Sequence, residues 1–168
     1  MSDWRIAPLT ANRVAELAAC HIASWREAYG ALVPRHILDG FDLERSAINW
    51  ERRRAAGTHR LPVALAGDRL VGFAAGRDRP VPDRPADRCP STEAELEALY
   101  VRSAWHGTGI ADALIDAAAP GSPCTLWVFA DYPRAHAFYR RHGFTDTGNR
   151  RTDPFTLLPE QLWRREPG

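Results

Sequence analysis

Residues 95–112 read ELEALYVRSAWHGTGIAD, and this stretch decides the fold. Its first part is typical of a β-strand, and its last part begins a helix that carries Ile110 and Leu114 on one face. Gly107 and Gly109 lie in the turn between them, where glycine permits unusual backbone angles and the close approach of a ligand. Such a turn directs free backbone N–H groups toward one point at the positive end of a helix dipole, which favours phosphate binding. An ordinary strand-to-helix loop also carries glycines, so this interpretation needs a second feature.

The sequence on either side predicts strands and helices in alternation. Apolar runs predict strands at residues 4–9, 61–66, 70–75, 95–101, 125–129, 144–147 and 155–163. Helical periodicity and end signals predict helices between Thr10 and Gly30, over 42–56, from 110 to 120 and from 133 to 142, with a helical turn at 34–40. This order predicts an α/β (α+β) fold in which helices pack on a single mixed sheet.

Composition indicates an ordinary globular chain. The 168 residues are 45% hydrophobic and 26% charged, and we predict a single domain over residues 1–168. The net charge of +1 provides no positive field for nucleic acid, so we expect no nucleic-acid partner. The 22 basic residues are all arginine, and four of them lie in segment 77–92, where prolines and aspartates predict a charge-balanced surface loop.

The cysteine pattern and the hydropathy of the sequence favour a cytoplasmic location. Cys20, Cys89 and Cys124 are odd in number and form no CxxC pair, which predicts reduced thiols. The first residues lack the apolar run of a signal peptide, and no stretch approaches the roughly 18 apolar residues of a membrane span. The histidines show no metal-ligand spacing. We therefore predict a cytoplasmic protein with no membrane partner and no metal.

A second motif follows about thirty residues after the glycine turn. Residues 130–144 read ADYPRAHAFYRRHGF, and together the two stretches resemble the GNAT superfamily of acyl-CoA-dependent N-acyltransferases. The family pattern Gln/Arg-x-x-Gly-x-Gly/Ala falls on residues 106–111. The later pattern Asn-x-x-Ala-x-x-x-Tyr-x-x-x-Gly-Phe falls on 132–144 and places its tyrosine at Tyr139. The segment SWREAYGALVPRHILDG at 24–40 is also similar to a GNAT subgroup, so the resemblance covers nearly the whole chain.

The resemblance implies a mainly antiparallel, twisted sheet flanked by about four helices, and acetyl-CoA as cosubstrate. A primary amine would attack the thioester directly in a ternary complex, with a small molecule as the favoured acceptor. The implied cofactor contacts come from the strand end, the glycine turn and the starts of two helices: Leu99, Tyr100, Val101, His106, Gly107, Thr108, Gly109, Ile110, Ala111, Asp112 and Tyr132.

Further roles follow from the same resemblance. Tyr139 is the implied acid that protonates or hydrogen-bonds the departing thiolate. Glu95 is the implied base for the acceptor amine, with Glu97 or a water chain as alternatives, because an alkyl ammonium is almost wholly protonated at neutral pH. Trp25 and Tyr29 lie one helical turn apart and would form either an aromatic wall of the acceptor site or part of the core.

The predicted strand 95–101 also determines on which face of the sheet each of its side chains lies. Simple alternation places Leu99 and Val101 on the face of Glu95 and Glu97, with Tyr100 on the opposite face. The backbone of 99–101 would face the pantetheine arm and donate an N–H to the thioester oxygen.

Three positions depart from the family pattern. His106 replaces Gln or Arg, Tyr132 replaces Asn, and Ser103 stands where proline is common. We expect His106 to keep its role because its backbone N–H can still contact the pyrophosphate. The departures leave open a non-catalytic acyl-CoA-binding module, and a protein N-terminal acetyltransferase is a further alternative. A homodimer is possible if the apolar segment 155–163 forms a sheet edge.

Overall fold

One mixed sheet with helices on both faces organises the chain. The computed structural model describes residues 3–78, 94–121 and 123–167, so most of the predicted loop 77–92 lies outside the described residues. The strands are β1 (Trp4–Pro8), β2 (Pro62–Ala66), β3 (Arg69–Arg77), β4 (Ala94–Val101), β5 (Cys124–Phe129), β6 (Phe144–Thr152) and β7 (Pro159–Arg165). The α-helices are α1 (Val14–Tyr29), α2 (Arg35–Asp39), α3 (Leu43–Ala56), α4 (Ile110–Ala118) and α5 (Pro133–Arg141), and short 3-10 helices span Ala11–Arg13 and Ser103–Trp105.

The strand order in the sheet is β1-β2-β3-β4-β5-β7-β6. Neighbouring strands are antiparallel except for β4 and β5, which are parallel. The predicted fold class is therefore confirmed: the sheet is mixed, mainly antiparallel, and flanked by four longer helices and the five-residue α2.

Each face of the sheet buries its own apolar cluster. Helix α4 packs on one face through Ile110, Leu114, Ile115 and Ala118, all of which are buried as the helical period predicts. Helix α5 packs against the same cluster. Helices α1 and α3 cover the opposite face through residues such as Leu17 and Trp50.

The C-terminal strand lies elsewhere than expected. The predicted strand over 155–163 starts too early, because residues 153–156 form a turn. The Asp153 carboxylate accepts hydrogen bonds from the Thr156 N–H at 2.7 Å and from the Thr156 hydroxyl at 2.6 Å. The strand begins at Pro159. It also lies between β5 and β6, so it offers no free edge, and this basis for a homodimer is removed.

Strand β4 contains an irregularity that changes which side chains share a face. Its pairing with β3 shifts register: Ala75 pairs with Ala98, but Gly76 already pairs with Leu96. Glu97 is thus an extra residue, a β-bulge. The alternation of side chains changes phase at this bulge.

The predicted grouping of Glu95 and Glu97 with Leu99 and Val101 is therefore wrong. Leu96, Leu99 and Val101 face α4, whereas Ala98 and Tyr100 face α1 and α3. Glu95 pairs with Arg77, two residues beyond Ala75 on β3, and so lies on the α1 face with Tyr100.

No helix within residues 3–78, 94–121 and 123–167 combines the length and the apolar character that crossing a bilayer requires.

Candidate active site

Strands β4 and β5 separate soon after they meet. They pair only at Ala94 with Cys124 and at Glu95 with Thr125. Beyond these pairs a cleft of about 350 Å³ opens between the strands. From Leu96 onward, no described strand pairs with β4 on its β5 side, so its backbone groups face this cleft. An exposed strand edge of this kind can hydrogen-bond an extended ligand.

Most of the predicted site residues line this cleft. Its lining includes Trp25, Tyr29, Glu95, Glu97, Leu99, Tyr100, Val101, His106, Ala111, Tyr132 and Tyr139. The predicted residues Gly107, Thr108, Gly109, Ile110 and Asp112 belong to the turn and to the first residues of α4. Two motifs about thirty residues apart in the chain thus meet at one cleft.

The turn before α4 has the backbone conformation that its glycines predict. Gly107 has φ 76° and Gly109 has φ 86°, both in the left-handed region that side chains rarely adopt. Gly109 is the N-cap of α4, and no side chain caps the helix there. The first N–H groups of the helix are therefore available to an anion at the positive end of its dipole.

One expected phosphate donor is already occupied. The His106 N–H donates to the Ser103 carbonyl at 3.2 Å, and the His106 ring lies 2.9 Å from the Val101 carbonyl. Only the later N–H groups of the turn are thus left for the predicted phosphate contacts. The Thr108 hydroxyl donates to the Trp105 carbonyl at 2.7 Å, which stabilises the turn from within.

The remaining predicted residues of α4 have structural contacts of their own. The Ile110 side chain is 1% exposed and belongs to the core, so only its backbone can reach a ligand. The Asp112 carboxylate lies 2.8 Å from His142 Nε2, which links the start of α4 to the end of α5. This contact and Arg141 hold the pKa of Asp112 below its usual value.

Aromatic rings form one wall of the cleft on the α1 face. The Trp25 and Tyr29 rings meet edge to face at 4.9 Å, and Tyr29 meets Phe129 at 5.0 Å. Tyr100 completes this wall at 6.3 Å from Tyr29. The Trp25 indole N–H is buried and makes no hydrogen bond to any described residue. Its proximity to Tyr100 slightly lowers the pKa of that phenol, against the larger rise that burial causes.

All four tyrosines of the chain line the cleft, and the pKa of each phenol is raised above its usual value. Burial raises the pKa of Tyr29, Tyr132 and Tyr139, and it raises the pKa of Tyr100 to about 12. The hydroxyls of Tyr29, Tyr132 and Tyr139 also influence one another, because ionising one phenol disfavours ionising the next. The phenols are thus protonated donors at neutral pH.

These shifts predict an unusual alkaline titration. A phenol whose pKa is raised on folding stabilises the fold fully below its unfolded value near 10, and this contribution is lost as pH rises through the folded value. We expect the folded protein near pH 10 to show almost no tyrosinate absorbance, whereas in denaturant about half of the phenols ionise there. A folded protein with half its phenols ionised at that pH would contradict burial of the cleft.

The two predicted acceptor-side carboxylates are held by a common guanidinium. Arg77 Nη2 lies 3.4 Å from Glu95 Oε2 and forms a close ion pair with Glu97. His59 Nε2 lies 2.7 Å from the second oxygen of Glu97. His59 and Arg77 lower the pKa of Glu97 although its burial opposes them. Glu97 is therefore a structural carboxylate that already has two partners.

The sequence reading missed Glu160 and Arg151. Glu160 is 8% exposed, lies opposite Phe129 on β5, and accepts from Arg151 Nε at 2.6 Å. Both residues line the cleft. Their signal in the sequence is the alternation of Glu160 with Leu162, which places a charged side chain on an inward-facing position of a strand.

Comparison with known proteins agrees with this geometry. The family model described as "Acetyltransferase (GNAT) family" matches residues 20–144, about three quarters of the chain. The chain belongs to the GNAT acetyltransferase family. It is accordingly an enzyme of the acyltransferase class. No curated protein sequence matches this GNAT chain.

Solved structures share the GNAT fold at low sequence identity. The PaiA N-acetyltransferase of Thermoplasma acidophilum in complex with coenzyme A is 16% identical with a TM-score of 0.70, covering 98% of this chain and 99% of that one. YncA of Salmonella typhimurium, a putative acetyltransferase with its cofactor acetyl-CoA, is 16% identical with a TM-score of 0.67, over 98% and 94%. A ribosomal-protein-alanine N-acetyltransferase of Brucella melitensis is 21% identical with a TM-score of 0.68, over 96% and 99%.

The cleft of this GNAT protein suits a coenzyme A thioester. A Cβ added at Gly107 meets no atom within 4 Å, so the space in front of the turn is open for a diphosphate. The unpaired edge of β4 leads from this turn toward Tyr139. Within the described ranges, no group of three or more His, Cys, Asp or Glu is placed to hold a metal, and the prediction that none is used remains a prediction.

Proposed function

We propose that this enzyme transfers the acetyl group of acetyl-CoA to the primary amine of a small molecule, by direct attack within a ternary complex. The observation that carries the proposal is the cleft between β4 and β5, which has an uncapped helix start at one end and Tyr139 in its wall. A site of this form can hold an activated acyl group and an amine at the same time.

The backbone would provide most of the contacts to acetyl-CoA. The N–H groups from Gly107 to Asp112 would bind the pyrophosphate, because they lie at an uncapped helix N-terminus. The edge of β4 from Leu99 to Val101 would hydrogen-bond the pantetheine arm. Tyr132, the N-cap residue of α5, stands on the opposite side of the cleft.

Acetyl-CoA supplies a thioester whose carbonyl carbon is open to attack. A β4 backbone N–H would stabilise the negative charge that develops on the thioester oxygen. Tyr139 keeps its proton because burial raises its pKa, so its hydroxyl can donate to the departing sulfur. Neither Cys20 nor Cys124, the two cysteines within the described residues, suits an acyl-carrying role, because both are buried and burial raises the pKa of Cys20 to about 11.

The acceptor amine must lose a proton before it attacks. Glu95 is the proposed base, acting directly or through a water. It lines the cleft on the same face as Trp25, Tyr29 and Tyr100, where the acceptor would bind. Glu97 is less suited to this role, since His59 and Arg77 stabilise its charged form. The aromatic side chains that line the cleft, such as Trp25 and Tyr29, favour a small acceptor that packs on them.

A cytoplasmic location is part of the same proposal. The described cysteines, Cys20 and Cys124, are free thiols, which agrees with a reducing compartment.

The proposal is tested by two measurements on the purified protein. We expect calorimetry to detect acetyl-CoA binding, and a thiol-release assay to detect CoA formation with at least some members of a primary amine panel. Binding of acetyl-CoA without CoA release from any amine would favour the non-catalytic acyl-CoA-binding alternative. Absence of acetyl-CoA binding would contradict the proposal outright.

A further inference from the structure

The wall of the cleft formed by β6 and β7 contains a buried ion pair. Glu160 on β7 accepts from Arg151 Nε at 2.6 Å, and the two side chains are only 11% and 22% exposed. The Arg151 guanidinium lies over the Trp127 ring at 4.2 Å, which fixes it in place. A buried ion pair adds less stability than a well-packed apolar pair, so its presence beside a cleft points to a binding role.

The neighbours of Glu160 define the chemistry of this part of the site. Glu160 lies opposite Phe129 in the sheet, and its charge contributes to the raised pKa of Tyr100. Phe129 and Tyr100 belong to the aromatic wall that also contains Trp25 and Tyr29. A buried carboxylate therefore stands next to several aromatic rings.

The local charge balance is negative. The described charged side chains that line the cleft are five carboxylates and three guanidinium groups: Glu27, Glu95, Glu97, Asp153, Glu160, Arg53, Arg134 and Arg151. Aromatic faces attract cations and also pack hydrocarbon. A carboxylate accepts up to about four hydrogen bonds, so one that is held by Arg151 can also accept from a substrate ammonium.

We infer that Glu160 binds the positive charge of the acceptor, and that the acceptor is an organic ammonium ion with an apolar body and no carboxylate beside its amine. This inference rests on the proposed function and names its substrate class. The apolar body packs on Trp25, Tyr29 and Phe129. An amino acid is disfavoured because its carboxylate would meet the net negative wall.

The test compares amino acids with their decarboxylated amines. Phenethylamine with phenylalanine, tryptamine with tryptophan and isoamylamine with leucine are pairs that share a side chain and an amine. Calorimetry in the presence of CoA measures their binding to the wild-type enzyme independently of turnover. We expect the amine of a pair to bind roughly tenfold or more tightly than its amino acid.

Variants then assign the preference to Glu160. Glu160→Gln should weaken binding of the preferred amine roughly 10- to 100-fold and leave CoA binding unchanged, with partial recovery in Glu160→Asp. Glu51→Gln is the control for loss of an Arg–Glu pair as such, because Arg54 Nε lies 2.7 Å from Glu51 Oε2 in a more exposed pair on α3 that does not line the cleft. It should leave amine binding unchanged.

The outcomes separate the inference from the proposed function. Equal or tighter binding of the amino acids, no binding of any amine, or unchanged amine binding in a folded Glu160→Gln protein would overturn the inference. If Glu160→Gln does not fold, Glu160→Asp takes its place, and an amine affinity equal to that of the wild type in Glu160→Asp would overturn the inference. Glu160-dependent amine binding without CoA release would keep the inference and refute acetyl transfer.

Discussion

Replacement of Tyr139 by phenylalanine should lower kcat by roughly two orders of magnitude while the Kd for acetyl-CoA stays within about twofold of the wild-type value. The ring remains in place because it packs on Phe138 at 5.4 Å and on Phe144 at 5.9 Å, and phenylalanine keeps both contacts. Only the hydroxyl is removed. The CoA thiolate, whose conjugate thiol has a pKa near 8.5, departs with a negative charge, and the Tyr139 hydroxyl is the donor that stabilises this charge by a hydrogen bond.

The raised pKa of Tyr139 fits a hydrogen-bond donor and not an acid that gives up its proton, because the phenol holds its proton more tightly than a thiol does. Burial and the nearby Tyr100 and Tyr132 keep the phenol protonated far above neutral pH, so the donor is present throughout the working range. The comparison variant is Tyr29→Phe, which removes a hydroxyl from the opposite wall and should act on the KM of the amine. Equal loss of acetyl-CoA binding and turnover in Tyr139→Phe, or no loss of either, would reject the assigned role. Melting temperatures of both variants show whether the cleft stays folded.

The strand–turn–helix unit around the glycine turn could be predicted from sequence because its signals are local. Gly107 and Gly109 adopt the left-handed angles that only glycine tolerates readily, and the apolar positions of α4 follow the helical period. The resemblance to GNAT proteins then predicted the mainly antiparallel sheet and a single site that contains both motifs. The turn and the start of α4 depend on residues that lie near one another in the chain.

The side-chain directions of β4 could not be predicted in the same way. An alternation rule assumes an uninterrupted strand, and the bulge at Glu97 appears only when β3 pairs with β4. Glu95 and Glu97 consequently lie on the face of α1, beside Tyr100. That correction brings Glu95 onto the face of Trp25, Tyr29 and Tyr100, where we propose that the acceptor binds.

Glu160 was missed for a related reason. Residues 155–163 read as a generally apolar terminal strand, whereas the importance of Glu160 comes from its neighbours Phe129 on β5 and Arg151 on β6. Phe129 lies 31 positions before Glu160, so no local pattern encodes that pairing. Arg151 is only nine positions away, but the predicted strand 144–147 ended before it. The interior position of β7 was unpredictable on the same ground.

Replacement of Gly109 by valine should raise the Kd for acetyl-CoA more than 100-fold. Gly109 has φ 86°, a conformation that a β-branched residue avoids, so the substitution forces the turn to reorganise. The N–H groups at the start of α4 would then no longer converge on one anion. Loss of several charge-assisted hydrogen bonds, each worth about 1.5–3 kcal/mol, accounts for an effect of this size.

Gly57→Val separates this effect from simple backbone strain. Gly57 ends α3 at φ 65° with no atom within 4 Å of an added Cβ, and it does not line the cleft. A Cβ at Gly109 likewise meets only Trp4 Cζ2 at the ordinary distance of 3.7 Å, so neither variant introduces a steric clash at Cβ. Both variants should lose stability to a similar extent in denaturant titrations, because both place valine at a left-handed angle. Calorimetry should find acetyl-CoA binding weakened only in Gly109→Val. Unaltered binding in a folded Gly109→Val protein would show that the pyrophosphate lies elsewhere, since no other described feature of the turn could compensate for a displaced helix start.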